Sequence, residues 1–117
     1  MTVKVVLLDL EGTLVHMGTS TPVSGVPDMI EELRARKLGI AVASNRLSAS
    51  RTRTTLADAG LPVDYVLDRA AVGSNKGTGQ WVDRLCQVLR LNANELVFLG
   101  DGQYDFIEAM RRRVIYF

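Results

Sequence analysis

The β-branched run Val3–Leu8, which breaks off at Asp9, constrains this chain more than any other feature. A short, continuous apolar stretch of this kind reads as a strand buried on both faces. Similar runs recur at Gly39–Ala43, Val63–Leu67, Leu96–Leu99 and Val114–Phe117. Between them lie segments with helical signals. Ser24–Lys37 carries Val26, Met29, Ile30 and Leu33 at helical spacing, with Pro27 near its start, where proline is tolerated, and Gly39 beyond its end. A basic helix is predicted over 48–59, stopping at Gly60, a longer one from about Thr78 to Leu91, and a last one over 104–112. Residues 12–24 and the run GSNKGTG at 73–79 are rich in glycine and hydroxyl residues and read as loops. Strand alternating with helix along the whole chain predicts an α/β fold. Its five-stranded sheet is parallel and covered on both faces.

In such sheets ligands bind beyond the carboxyl ends of the strands. The residues just past those ends are chemically competent. The first strand delivers Asp9 and Glu11, the second Ser44 and Asn45, the fourth Asp101, with Asp105 one helical turn further on. Lys76 stands at the head of the long helix before the fourth strand. Polar groups therefore gather on one edge of a sheet that is otherwise apolar.

Bulk properties bound the possibilities. The 117 residues suit one domain, 1–117, long enough to bury a core without staples. A formal net charge of +1 gives no global field toward nucleic acid or membrane, so a nucleic-acid partner has no support beyond local arginines. The lone Cys86 excludes an internal disulfide. The N-terminal apolar run is interrupted by Asp9 too soon for a signal-peptide core, and no stretch is long enough to span a bilayer, so cytoplasmic residence is the expectation. The sequence stops inside the apolar run VIYF, which suggests a fragment of a longer protein. Oligomeric state stays open.

Carboxylates converging at one sheet edge attract a hard cation, and Mg2+ takes oxygen ligands together with waters and substrate phosphate. Asp9 and Asp101 are the candidate side-chain ligands. Lys76 offsets residual negative charge and holds Asp9 ionised. Ser44 and the backbone amide of Asn45 are candidates to grip phosphate oxygens. A carboxylate such as Asp9 can also act as a nucleophile, splitting one hard hydrolysis into two easier steps.

The motifs DLEGTL at 9–14, AVASN at 41–45, Lys76 and GDGQYD at 100–105 together resemble, in order, the four signature motifs of the haloacid dehalogenase-like superfamily. The resemblance spans nearly the whole chain. It implies a three-layer Rossmann-like core with the first strand central. Asp9 is then nucleophile and metal ligand. Glu11 is the acid/base and lends its backbone carbonyl to the metal. Ser44 binds the transferring phosphoryl group, and Lys76 neutralises and orients Asp9 and the phosphate. Asp101 ligates Mg2+ directly, and Asp105 supports the site through water or Lys76. Gly12 and Thr13 begin the turn out of the first strand. The family pattern usually has Asp where this chain has Glu11. Enolase-phosphatases of the superfamily carry a similar Asp-x-Glu-Gly-Thr motif. The two customary sites of cap insertion are occupied here by short loops, so no cap domain is expected. The implied activity is Mg2+-dependent hydrolysis of phosphate monoesters, small or macromolecular.

Other readings stand beside these. Asp9, Ser44, Asn45 and Asp101 are also ordinary strand-end and turn residues, Glu11 and Lys76 ordinary loop charges, and Asp105 a first-turn carboxylate favoured by the helix dipole. Arg46, Arg51 and Arg53 read as a solvated helix face, Arg111–Arg113 and His16 as solvated too, and Trp81 and Cys86 as core or partner surface. A phosphate-ligand-binding or regulatory pseudoenzyme is the main functional alternative. A phosphoacceptor receiver would have to use Asp68. A dehalogenase would leave the Asp101 pair without a role.

Overall fold

A computed structural model describes residues 2–46 and 48–117. Five parallel strands form one sheet: β1 (Val5–Asp9), β2 (Gly39–Ala43), β3 (Tyr65–Leu67), β4 (Leu96–Leu99) and β5 (Ile115–Tyr116). Their spatial order is β3-β2-β1-β4-β5, so β1 is central. The helices are α1 (Val26–Ala35), α2 (Ala49–Asp58), α3 (Arg69–Val72), α4 (Gln80–Leu89) and α5 (Gln103–Arg111). Among the described residues no helix is long and apolar enough to cross a membrane.

The two-residue period of a strand sends its side chains to opposite faces. Val5 and Leu7 of β1, with Ala41 and Ala43 of β2, pack with Trp81, Val82 and Leu85 of α4 and Ala109 of α5. Val6 and Leu8, with Ile40 and Val42, pack with Val26 and Ile30 of α1 and Leu56 of α2. Helices on both faces thus leave the middle strands dry, and Leu7, Leu8, Ala41 and Val42 are fully buried. The expected α/β, three-layer, Rossmann-like architecture is what the chain adopts.

Element ends differ from expectation for local reasons. β1 begins at Val5 and runs through Asp9, because its ladder pairs Val5 with Gly39 and Asp9 with Ala43. α1 stops short of Lys37 and α4 short of Leu91, as Lys37 (φ 60°) and Arg90 (φ 56°) take left-handed conformations that close a helix. α4 starts at Gln80, because Gly79 at φ 86° is its N-cap. The short α3 is not among the expected elements. Asp68 caps it, its carboxylate accepting from Ala71 N at 2.6 Å, a local bond with no signature in hydrophobic period. The 3₁₀ turn at Ala93–Glu95 escapes for the same reason.

The register places the polar residues. Asp9 lies level with Ala43, so Ser44 and Asn45 emerge beside it. Leu8 lies level with Leu99, so Gly100 and Asp101 emerge on its other side. The chain leaves β1 toward β2 and returns later to β4, and the crevice between those two departures is where ligands sit in open parallel sheets. The segment between β1 and α1 is a compact loop with isolated bridges Glu11–Val15 and Val15–Pro22, and only α3 lies between β3 and α4. Neither loop carries an inserted cap domain.

Candidate active site

A pocket of about 440 Å³ opens at the carboxyl end of the sheet, lined by Asp9, Glu11, Ser44, Asn45, Lys76, Asp101 and Asp105 together with Met17, Arg46, Gly102 and Tyr104. All seven expected site residues therefore meet in one place.

Lys76 is its centre. The side chain is 5% exposed, and its ammonium lies 2.6 Å from Asp9 Oδ1, 2.7 Å from Asp105 Oδ1 and 3.0 Å from the Ala43 carbonyl. The Asp9 carboxylate and the Ala43 carbonyl each accept one of its protons, and Asp105 adds negative charge beside it. The contact to Asp105 is an ion pair without hydrogen-bond alignment. Lys76 was expected to reach the phosphate as well, and two of its three protons are committed here, to Asp9 and the Ala43 carbonyl.

Two contacts hold the Lys76 loop from outside the obvious motifs. The Asn45 side chain accepts from Lys76 N at 3.0 Å. Asn45, expected to serve through its backbone amide, thus has a further task as a brace. The second contact is Glu108, which sequence reasoning missed. It is fully buried on α5 and accepts four backbone N–H groups: Gly77 (2.8 Å) and Gly79 (3.0 Å) on Oε1, Trp81 (3.0 Å) and Val82 (3.1 Å) on Oε2. A carboxylate on the free amides at the start of α4 satisfies both their hydrogen bonding and the positive helix end. Its only sequence signal is an acidic residue on the otherwise inward face of α5, one turn after Asp105.

Asp105 is 3% exposed and also accepts from Gly102 N at 3.3 Å, closing the first turn of α5. Asp101 is exposed at the pocket mouth. Asp9, Asp101 and Asp105 each offer an oxygen within 4.8 Å of the others. Three carboxylates face one ammonium, so two negative charges stand in excess when all are ionised. Asp9 feels this. Burial raises its pKa, Lys76 lowers it, and Asp105 and Asp101 raise it again, leaving it at about 6 against an ordinary 3.8. A divalent cation on these oxygens would cancel the excess, and an all-oxygen donor set suits Mg2+. Gly12 makes room for the cluster. It turns the chain at φ 82°, and a Cβ there would collide with the Asp101 carboxylate.

Ser44 is 5% exposed, and its Oγ accepts from Arg46 N at 3.3 Å. Arg46 departs from the solvated reading given to it. Its Nη2 and Nε donate to Glu11 Oε1 at 2.8 and 3.1 Å, and its Nη1 to Thr55 Oγ1 at 2.8 Å and the Arg51 carbonyl at 3.2 Å. The guanidinium thereby ties the Glu11 loop to α2. Glu11 is bound to Arg46 and to Gly18 N (3.4 Å), with no bond to Asp9 or Lys76 among the described residues. Arg51 and Arg53 are exposed, as expected. Arg112 and Arg111 are not merely solvated. Arg112 forms a forked pair with Asp83 (2.7 and 2.9 Å), and Arg111 donates to the Gly77 carbonyl at 2.7 Å. Trp81 is core, and His16 is exposed outside the pocket, where Met17 lines the wall instead. Both oxygens of Asp68 are engaged at 2.6 Å, by Ala49 N and Ala71 N, which leaves no free oxygen for a receiver-type phosphoacceptor.

Comparison with known proteins agrees with this geometry. A predicted phosphoglycolate phosphatase from Haemophilus somnus superposes with a TM-score of 0.85 at 14% identity, over 99% of this chain and 84% of that one. A hydrolase of the haloacid dehalogenase superfamily from Ehrlichia chaffeensis gives 0.84 at 13%, over 100% and 92%. A phosphoserine phosphatase, solved as an analogue of its phospho-aspartyl intermediate, gives 0.73 at 16%, over 96% and 84%. At such identities these likenesses speak for the fold. No curated protein sequence matches. The family profile described as haloacid dehalogenase-like hydrolase matches residues 5–116, all five strands and every residue of the pocket. With the sheet order, the central Asp9 and the full-length profile in agreement, the chain belongs to the haloacid dehalogenase-like hydrolases.

Proposed function

We propose that this chain is a Mg2+-dependent phosphate monoesterase that works through an aspartyl-phosphate on Asp9. The observation that carries the reading is the buried Lys76 ammonium wedged between Asp9 and Asp105, with Asp101 and Ser44 in the same pocket. Asp9, Asp101, Asp105 and the Glu11 carbonyl would hold the cation. When bound, Mg2+ supplies positive charge to the phosphoryl oxygens and to the ionised nucleophile.

The residues then divide the work. Lys76 fixes one oxygen of Asp9, and the other forms the bond to phosphorus. Ser44 Oγ and the Asn45 amide hold equatorial oxygens of the transferring group. As the ester P–O bond breaks, the leaving oxygen takes a proton from Glu11. A water then attacks phosphorus and gives its proton back to Glu11. The bond between Asp9 and phosphorus breaks, and inorganic phosphate departs. Glu11 must exchange its Arg46 contact for the leaving oxygen, so Arg46 acts as its rest position. The solved phosphoserine phosphatase with its phospho-aspartyl analogue supports the same covalent route.

One observation favours a second reading, a phosphate-binding or regulatory domain without turnover: the Glu11 carboxylate is held by Arg46 rather than free. A single assay separates the two. Hydrolysis of a panel of phosphate monoesters is measured with and without Mg2+, for the wild type and Asp9→Asn. Mg2+-dependent turnover lost in Asp9→Asn is expected. No turnover by a chain with native circular dichroism would overturn the hydrolase reading in favour of the second.

A further inference from the structure

The catalytic pocket does not end at Glu11. On the far side of the Glu11–Arg46 pair lies a second, larger cleft of about 650 Å³, for which both residues also form the wall. It is an open cleft lined by the loop after β1, through Thr19 and Ser20, and by α2, through Ser50, Arg51 and Thr54. Volumes of this order accommodate a small organic ligand.

We propose that this cleft seats the leaving group, and that it selects phosphate monoesters whose alcohol half carries a second anionic group, carboxylate or phosphate. The inference rests on the proposed acid role of Glu11. In an in-line displacement the leaving oxygen lies opposite the nucleophile and next to the acid that protonates it. The remainder of the alcohol must then continue past Glu11. The opposite wall holds Asp101 and Asp105, which the cation would occupy. The Glu11 side offers the cleft.

Its charge and lining name the ligand. In the resting arrangement Arg46 and Glu11 neutralise each other at 2.8 Å, and the remaining Arg46 proton donors reach Thr55 and the Arg51 carbonyl. That leaves the Arg51 guanidinium, which has no carboxylate partner within 4.0 Å among the described residues. One excess positive charge in a lining of hydroxyls matches one anion on a short polar stem. A guanidinium presents paired N–H groups to carboxylate or phosphate.

The test compares kcat/KM, with Mg2+ present, for three short-chain esters: 2-hydroxyethyl phosphate, 2-phosphoglycolate and 1,3-propanediol bisphosphate. The wild type is expected to favour an anionic ester over the neutral one by about tenfold or more, the worth of one charge-assisted contact. Whichever anionic ester leads tells carboxylate from phosphate. Arg51→Gln, on the exposed side of α2, is expected to lower the ratio severalfold. A wild-type ratio near one, or an unchanged ratio in Arg51→Gln, would overturn the proposal while leaving hydrolysis itself standing. Calorimetric binding of phosphonoacetate against methylphosphonate reads the same preference without turnover, so an inactive chain still answers the question. There, equal affinities would sink it.

Discussion

Replacing Glu108 by glutamine tests how the Lys76 loop is held. The carboxylate takes two backbone N–H groups on each oxygen, at 2.8–3.1 Å, in a fully buried setting. Glutamine keeps the shape and one acceptor, but it turns an NH2 toward two N–H groups that can only donate. Each buried donor left without a partner costs about 1–3 kcal/mol, so the pair amounts to roughly 2–6 kcal/mol. With an unfolding entropy on the order of 2 cal/mol/K per residue, a chain of this length loses roughly 4 °C in Tm per kcal/mol. The expected fall is therefore about 8–24 °C in a thermal melt followed by circular dichroism. Because Gly77 and Gly79 flank the path from Lys76 into α4, kcat should fall even at temperatures where Glu108→Gln is fully folded. A melt within about 2 °C of wild type would refute the four-bond clamp, since a single orphaned donor already exceeds that.

Three other expectations concern the site itself. Gly12→Ala puts a Cβ into the Asp101 carboxylate at a φ of 82°, and Mg2+-dependent turnover should drop by about 100-fold or more, because displacement of a reacting group by about 1 Å costs that much; wild-type kinetics would disprove the close approach. The pKa of Asp9 is raised to about 6 from 3.8, so between these values the folded state binds more protons than the unfolded one. Without metal, stability should then fall as pH rises from about 4 to 6. Asp83 and Glu95, whose pKa values are lowered, act in the opposite sense, so the readout is the difference in Tm between wild type and Asp9→Asn across that range, and parallel curves would contradict the assignment. Mg2+ should raise the Tm at neutral pH, and Asp101→Asn should abolish most of the rise; an equal rise in the variant would remove Asp101 from the metal site.

Much of this arrangement is legible in the sequence because two simple rules generate it. Buried parallel strands announce themselves as apolar runs, and the residues just after each run land on one edge. Asp9, Ser44 and Asp101 needed nothing more, and Asp105 only one further helical turn. The features that escaped depend on side chains reaching across the fold. Arg46 lies 35 residues from Glu11, and Glu108 lies 26–31 residues from the amides it holds. Neither distance has a local signature. A charged residue in a helix gives the same pattern whether it is solvated or buried against a free helix end. The helix ends at Lys37 and Arg90 escaped for a different reason, since nothing in either residue type favours a positive φ.

The chain holds a single tryptophan, and the structure gives it an unusual vantage. The Trp81 indole is wholly buried between α4 and the sheet, its Nε1 donates to the Ser74 carbonyl two residues before Lys76, and its backbone N–H is one of the four held by Glu108. Native fluorescence is therefore a built-in probe of the loop that carries Lys76. A blue-shifted emission that resists quenching by iodide marks that loop as seated. A red shift at denaturant concentrations below the main unfolding transition would mark its release while the rest of the sheet is still intact.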